Sequence, residues 1–189
     1  VMNGFRAAES KPAEGKSVFA DGNDYVIRCA NVEARVSGET GYIESVKIGG
    51  VEKLSEPLKP NFWRAPIDND LSPQVPPIAS WVFGKFVYKK AQERIYKARL
   101  SVTDDSVIID WGVPQMSGVR SVYKATAEGL RISLTCRPII YGLPRFGYSM
   151  KLNASDDVTF FARGPHENYC DRKAGAFLGV YSGQVADFP

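Results

Sequence analysis

Leu130-Arg131-Ile132-Ser133-Leu134-Thr135-Cys136-Arg137 is the stretch that decides the fold. Its apolar residues, Leu130, Ile132, Leu134 and Cys136, alternate strictly with Arg131, Ser133, Thr135 and Arg137. A two-residue period puts every apolar side chain on one face of an extended strand, whereas a helix would scatter them around its axis. Phe146, Tyr148, Met150 and Leu152 repeat the pattern against Arg145, Gly147, Ser149 and Lys151, predicting a strand over 145–152 with that apolar set buried. Val32, Ala34 and Val36 follow it more weakly against Glu33, Arg35 and Ser37. Val46-Lys47-Ile48, then Gly49-Gly50, then Val51-Glu52-Lys53-Leu54 reads as a hairpin whose glycines supply the positive φ angles of a tight turn. Asp104-Asp105 and Glu128-Gly129 read as further turns. Strands recurring at short intervals with polar turns between them predict an all-β chain, a large antiparallel β-sandwich.

Composition agrees and excludes other classes. With 189 residues, 44% of them apolar, the chain is long enough for one domain with a sizeable core. Twenty-four basic and 21 acidic residues leave a net charge of +3 with no long basic run, so no nucleic-acid partner is expected. No apolar stretch approaches the roughly 18 residues of a membrane span, so no membrane partner is expected either. Three scattered cysteines are too few for a disulfide framework or a Cys-rich zinc site. All three are expected free, with Cys29 and Cys136 buried because they sit on apolar strand faces. Residues 1–15 lack a basic segment followed by an apolar one, the pattern of a signal peptide. Residues 1–20 read as a lead-in or the tail of a preceding domain, and 21–189 as the sandwich. Proline recurs from Pro57 to Pro77, which argues against a central strand there. Trp81, Val82, Lys85, Phe86 and Lys89 have helical spacing and predict one short helix over 78–90.

Catalytic signatures such as G-x-G-x-x-G, a Walker loop, G-x-S-x-G and H-E-x-x-H are absent from the sequence. A single histidine, His166, excludes metal sites built on several imidazoles. Asp68-Asn69-Asp70 begins like a calcium loop but lacks the glycine and distant glutamate that complete one. No metal and no cofactor is expected. Two polar clusters remain: Asn61-Phe62-Trp63-Arg64-Ala65-Pro66-Ile67-Asp68-Asn69-Asp70, and Arg163-Gly164-Pro165-His166-Glu167-Asn168-Tyr169-Cys170-Asp171-Arg172. Each mixes aromatics, carboxylates, amides and guanidinium in a Gly/Pro-bent loop, groups that can hold sugar hydroxyls against a stacking face. The same residues can equally pair with one another to satisfy buried loop backbone. Asp68 and Asp70 would stand about 7 Å apart on an extended segment, but a glycosidase pair normally comes from different elements across a cleft.

The first cluster resembles the R-A-P-x-D-N-D segment in the C-terminal "small chain" domain of bacterial β-galactosidases of glycoside hydrolase family 2. The second, from Phe161-Ala162 onward, resembles the same family's G-P-x-E-N-Y-x-D-R segment, with Cys170 where proline and His166 where glutamine are frequent. Tyr42-Ile43-Glu44-Ser45 with the Gly49-Gly50 turn is similar to its opening hairpin. The resemblance runs over roughly 24–189. It implies a fold like galactose mutarotase, a supersandwich of which this chain would lack the C-terminal end. It also implies an accessory domain packed against a barrel that carries both glutamates of a retaining mechanism, so the chain alone is expected to hold no catalytic residue and to be inactive. Trp63, Arg64, Asp68, Asn69, Asp70, His166, Glu167, Asn168, Tyr169, Asp171 and Arg172 would form a polar cluster, structural or bordering the cleft. The implied partners are the rest of the parent enzyme, a homo-oligomer, and through it a galactoside; the implied setting is bacterial cytoplasm or periplasm. The alternative is an independent carbohydrate-binding module. A mutarotase-type epimerase fits poorly, since such sites use several histidines.

Overall fold

The computed structural model describes residues 11, 13, 15–65, 88–138, 143–153, 156–165 and 173–187. They divide into two compact units, Val1–Leu152 and Asn153–Pro189.

In the first unit, two antiparallel sheets pack face to face. One contains β1 (Val18–Asp21), β2 (Asp24–Cys29), β3 (Val32–Val36), β4 (Ile43–Ile48), β6 (Leu54–Asn61) and β11 (Gly147–Leu152) in that order, with β5 (Val51–Glu52) paired to β4. The other is a meander of β7 (Tyr96–Val102), β8 (Ser106–Gly112), β9 (Met116–Thr126) and β10 (Gly129–Pro138). β1 crosses the boundary expected at residue 20, and Val18 is buried in the core. The core draws Ile27, Ala34, Val36 and Ile43 from the first sheet and Val107, Ile109, Trp111, Val119 and Tyr123 from the second. The fold is thus the antiparallel β-sandwich that the alternation requires.

β10 keeps its period. Leu130, Ile132, Leu134 and Cys136 are half-buried and packed on the core, while Arg131, Ser133, Thr135 and Arg137 are exposed. Cys136 is therefore less enclosed than expected, and Cys29 is buried; both thiols are free, and burial pushes both up from their ordinary value. Cys170 lies outside the described residues. β3 buries Ala34 and Val36 as read from sequence, and Gly49 and Gly50 turn β4 into β5 with φ of 58° and 83°.

β11 departs from its pattern. Only Tyr148 packs on the core; Phe146, Met150 and Leu152 are about half exposed, at 51%, 52% and 51%. Among the described residues the strand pairs with β6 alone, and its register shifts between Ser149 and Lys151 and again before Leu152. Each shift places an extra residue in β6, so beyond Tyr148 the partner strand no longer holds β11 in a regular ladder. The proline argument fails similarly, because Pro57 and Pro60 both lie in β6, between β4 and β11. The ladder to β4 is a single bridge, Ile43 opposite Leu58, and the first β11 shift falls opposite Pro57, so few ladder donors are needed there. Residues 88–93 are helical, consistent with the last turn of the expected helix; 78–87 lie outside the described residues.

One hydroxyl joins the two sheets. Ser121 on β9 is fully buried, and its Oγ accepts from Trp111 Nε1 at 2.8 Å and from the Tyr148 hydroxyl at 2.7 Å. Tyr123 donates to the Gly41 carbonyl at 3.3 Å, and Trp111 stacks on Tyr42 with ring centroids 5.5 Å apart. Gly41, at φ 78°, lies so close that an added Cβ would meet Ile109 at 3.0 Å and Trp111 at 3.1 Å.

In the second unit, β12 (Asp157–Gly164) and β13 (Phe177–Gln184) form an antiparallel hairpin. Phe160 and Tyr181 pack on one face, 5.7 Å between centroids, while Phe161 and Val180 stand exposed on the other. The bend between these strands contains Gly164-Pro165, a cis peptide.

Leu134→Asp should destabilise the sandwich by about 2–4 kcal/mol, because it puts a carboxylate against the core. Thr135→Asp, one residue on, should change stability by less than about 0.5 kcal/mol. Urea midpoints of the two variants check the face assignment. Burial pushes Tyr148 up to about 12, an effect that its bonds to Ser121 and Tyr123 moderate, and burial pushes Tyr123 further in the same direction. The folded state thus holds these phenols protonated above the unfolded value of 10.0, so their contribution is complete below pH 10 and is lost as pH climbs towards 12. Phenolate absorbance in an alkaline titration should show two tyrosines ionising only as the fold melts.

Candidate functional site

The N-terminal polar cluster begins where β6 ends. Phe62 is fully buried and stacks on Phe146 at 6.2 Å. Gln92, from the helical turn at 88–93, fixes this exit. Its Oε1 accepts from the Phe62 backbone N–H at 2.7 Å and its Nε2 donates to the Pro60 carbonyl at 3.0 Å. One side-chain amide thereby does what a neighbouring strand would do for two backbone groups. Tyr88 and Ala91, one turn apart, bury the inner face of that helix.

Trp63 is half-buried against the core with the Lys89 ammonium 5.4 Å from its ring centroid. That cation already faces the indole which the sequence offered as a stacking surface. The Arg64 Nε donates to the Pro144 carbonyl at 3.1 Å and its Nη1 to the Ala65 carbonyl, also at 3.1 Å, so the guanidinium ties the end of β6 to the segment entering β11. Asp68, Asn69 and Asp70 lie outside the described residues, as do His166, Glu167, Asn168, Tyr169, Asp171 and Arg172. The expected meeting of the two loops therefore lies outside them too. On the approach to the second loop, Arg163 Nη1 donates to the Ala176 carbonyl at 3.1 Å within its own hairpin.

Gln92 had no motif to announce it. It falls just past the helix expected over 78–90, and its role depends on where β6 stops.

The described carboxylates whose pKa moves all move down. Glu33 is held low by the Arg28 guanidinium, and Asp105 by the Ser106 hydroxyl and Lys124. Burial opposes the charge on Glu52, but the Ser45 hydroxyl and the backbone N–H groups of Leu54, Val46 and Lys53 outweigh it. Those bonds pin the break between β5 and β6. A general acid at neutral pH needs the opposite shift. No group of three or more His, Cys, Asp or Glu residues that could hold a metal occurs among the described residues.

Fold and site together define an antiparallel β-sandwich domain whose Trp63–Arg64 end is built as a clamp on backbone. The chain belongs to the β-galactosidase small chain family, whose model matches residues 28–188. It is similar to the β-galactosidase of Vibrio cholerae, with 30% identity over 87% of this chain and 18% of that protein. It is also similar to those of Priestia megaterium, 28% over 99% of this chain and 19% of that protein, and Halalkalibacterium halodurans, 30% over 80% and 16%. The chain thus spans about a fifth of the length of the curated relatives it matches.

Gln92→Ala should cost about 1–3 kcal/mol, because it strands the Phe62 N–H and the Pro60 carbonyl at a buried strand end. Gln92→Glu should recover only part of that, since it can accept from Phe62 but cannot donate to Pro60 when ionised. Thermal unfolding of both variants, read against the parent chain, measures the difference.

Proposed function

We propose that this chain is the accessory sandwich domain of a larger β-galactosidase and carries none of that enzyme's catalytic groups. The observation that carries the reading is the match to about a fifth of proteins named β-galactosidase, which leaves four-fifths of such a protein for the chemistry. Retaining hydrolysis needs two carboxyls about 5 Å apart across the scissile bond. In this reading both belong to a separate barrel, against which the sandwich packs. The depressed pKa values of Glu33, Glu52 and Asp105, and the capture of Arg64 by backbone carbonyls, suit a scaffold more than a reaction centre. The complete domain would be a mutarotase-like supersandwich. The parent enzyme would be a homo-oligomer acting on galactosides, and the two polar loops would border its cleft or brace that border. Contact with nucleic acid or membrane has no part in this role.

The purified chain should not turn over nitrophenyl β-galactoside, and NMR titration with galactose should give no saturable shifts while the spectrum stays that of a folded protein. Turnover abolished by Asp70→Ala would overturn the non-catalytic assignment. Saturable galactose binding at one site per chain would instead establish an independent carbohydrate-binding module.

A further inference from the structure

The outer face of the four-stranded meander is more basic than the protein as a whole. Strand register lines up Arg99, Asp110, Arg120 and Thr135 in one row across it, and Lys124 opposite Arg131 in another. Asp110 takes the Arg120 guanidinium in a two-point contact, Nε to Oδ1 at 2.6 Å and Nη2 to Oδ2 at 3.2 Å. Asp105 takes Lys124 at 3.1 Å. Arg137 has no carboxylate partner among the described residues.

At the end of this face the ladder between β9 and β10 slips between Thr135 and Arg137. Gly118 sits in the slip at φ 59°, with nothing within 4 Å of where its Cβ would be. The bulge opens a groove of about 600 Å³ lined by Asp110, Ser117, Arg120, Thr135 and Arg137. That volume falls in the range of small-molecule sites and far exceeds what a bare ion fills. The Ser117 hydroxyl donates to the Arg137 carbonyl at 3.3 Å and holds the backbone at the slip. The Thr135 hydroxyl stands opposite Arg120 in the register. Two guanidinium groups against one carboxylate give the groove a net positive charge. Arg120 spends two of its five N–H donors on Asp110, so three remain for a ligand.

We infer that this groove binds a tetrahedral oxyanion, a phosphate or sulfate group, gripped by Arg137 and Arg120 with the Thr135 hydroxyl as a further donor. Guanidinium forks and hydroxyls match the directions of such an anion's oxygens. The anion arrives either free or as the ester group of a hexose, for which the remaining volume leaves room. Asp110 orients Arg120 and tempers the charge, so its removal strengthens the site instead of weakening it.

The test is a titration of the full chain at low ionic strength with inorganic phosphate, sulfate, galactose 6-phosphate and galactose, followed by backbone amide and arginine Nε signals. Phosphate should shift Ser117, Gly118, Arg120, Thr135 and Arg137 saturably, and added sodium chloride should reverse the shifts. Arg137→Gln should weaken binding about tenfold or more, and Asp110→Asn should tighten it severalfold. Arg137→Lys, which keeps the charge and loses the fork, serves the same purpose if the glutamine variant does not fold. A hexose phosphate that binds tighter than phosphate marks an ester ligand, and equal affinity marks the free ion. A flat phosphate titration through about 10 mM, or phosphate shifts untouched by replacing Arg137, would overturn the site.

Discussion

The sandwich turns on the hydroxyl of Ser121. A buried serine in a core of valine, isoleucine and tryptophan is costly unless its oxygen is used, and here it accepts from both Trp111 and Tyr148. Trp111 and Tyr148 come from opposite sheets, so the two bonds fix the distance between layers and the height of each ring. Tyr148 also reaches the Ser133 carbonyl on β10 at 3.3 Å, and Tyr123 reaches the Gly41 carbonyl across the layers. The low dielectric around these groups makes each bond dependent on the others. An apolar residue at position 121 would leave an indole N–H and a phenol without their shared acceptor.

That constraint explains why β11 keeps a role although most of its apolar residues are exposed. The strand contributes one side chain to the core, Tyr148, and that side chain closes the polar network. Its ladder to β6 needs only to deliver Tyr148 to the right place, and the shifts beyond Ser149 fall after that requirement has been met.

The parts of the fold legible in the sequence are those decided by local periodicity. β10, β3 and the Gly49-Gly50 turn carry their assignment in neighbouring residues, because face and φ are settled there without help from afar. β6 and β11 depart from their local pattern because their behaviour depends on pairing. Pro57 and Pro60 are tolerated only because β4 touches β6 at one bridge, and no local rule reveals how many ladder bonds a distant strand will ask for. The candidate site divides along the same line. Trp63 and Arg64 announce themselves by type and motif, but the groups that occupy them are Lys89 and the Pro144 carbonyl, brought in by tertiary structure. Gln92, two residues past the helix read from the sequence, completes the strand end.

Gly41 bears on how far this chain can drift. Its relatives have already replaced some seven in ten of the aligned residues, yet drift needs somewhere to put a new side chain. At Gly41 the backbone itself is the packing surface, pressed against Ile109 and Trp111 in a left-handed conformation. Both the space and the φ angle reject a Cβ, so any descendant that keeps this turn against these two side chains keeps glycine. Gly49 and Gly50 have the same left-handed backbone but open space around them, and there asparagine or aspartate would serve. Two kinds of glycine thus look alike in the sequence but resist a side chain for different reasons, one through its backbone angle alone and the other through its neighbours as well.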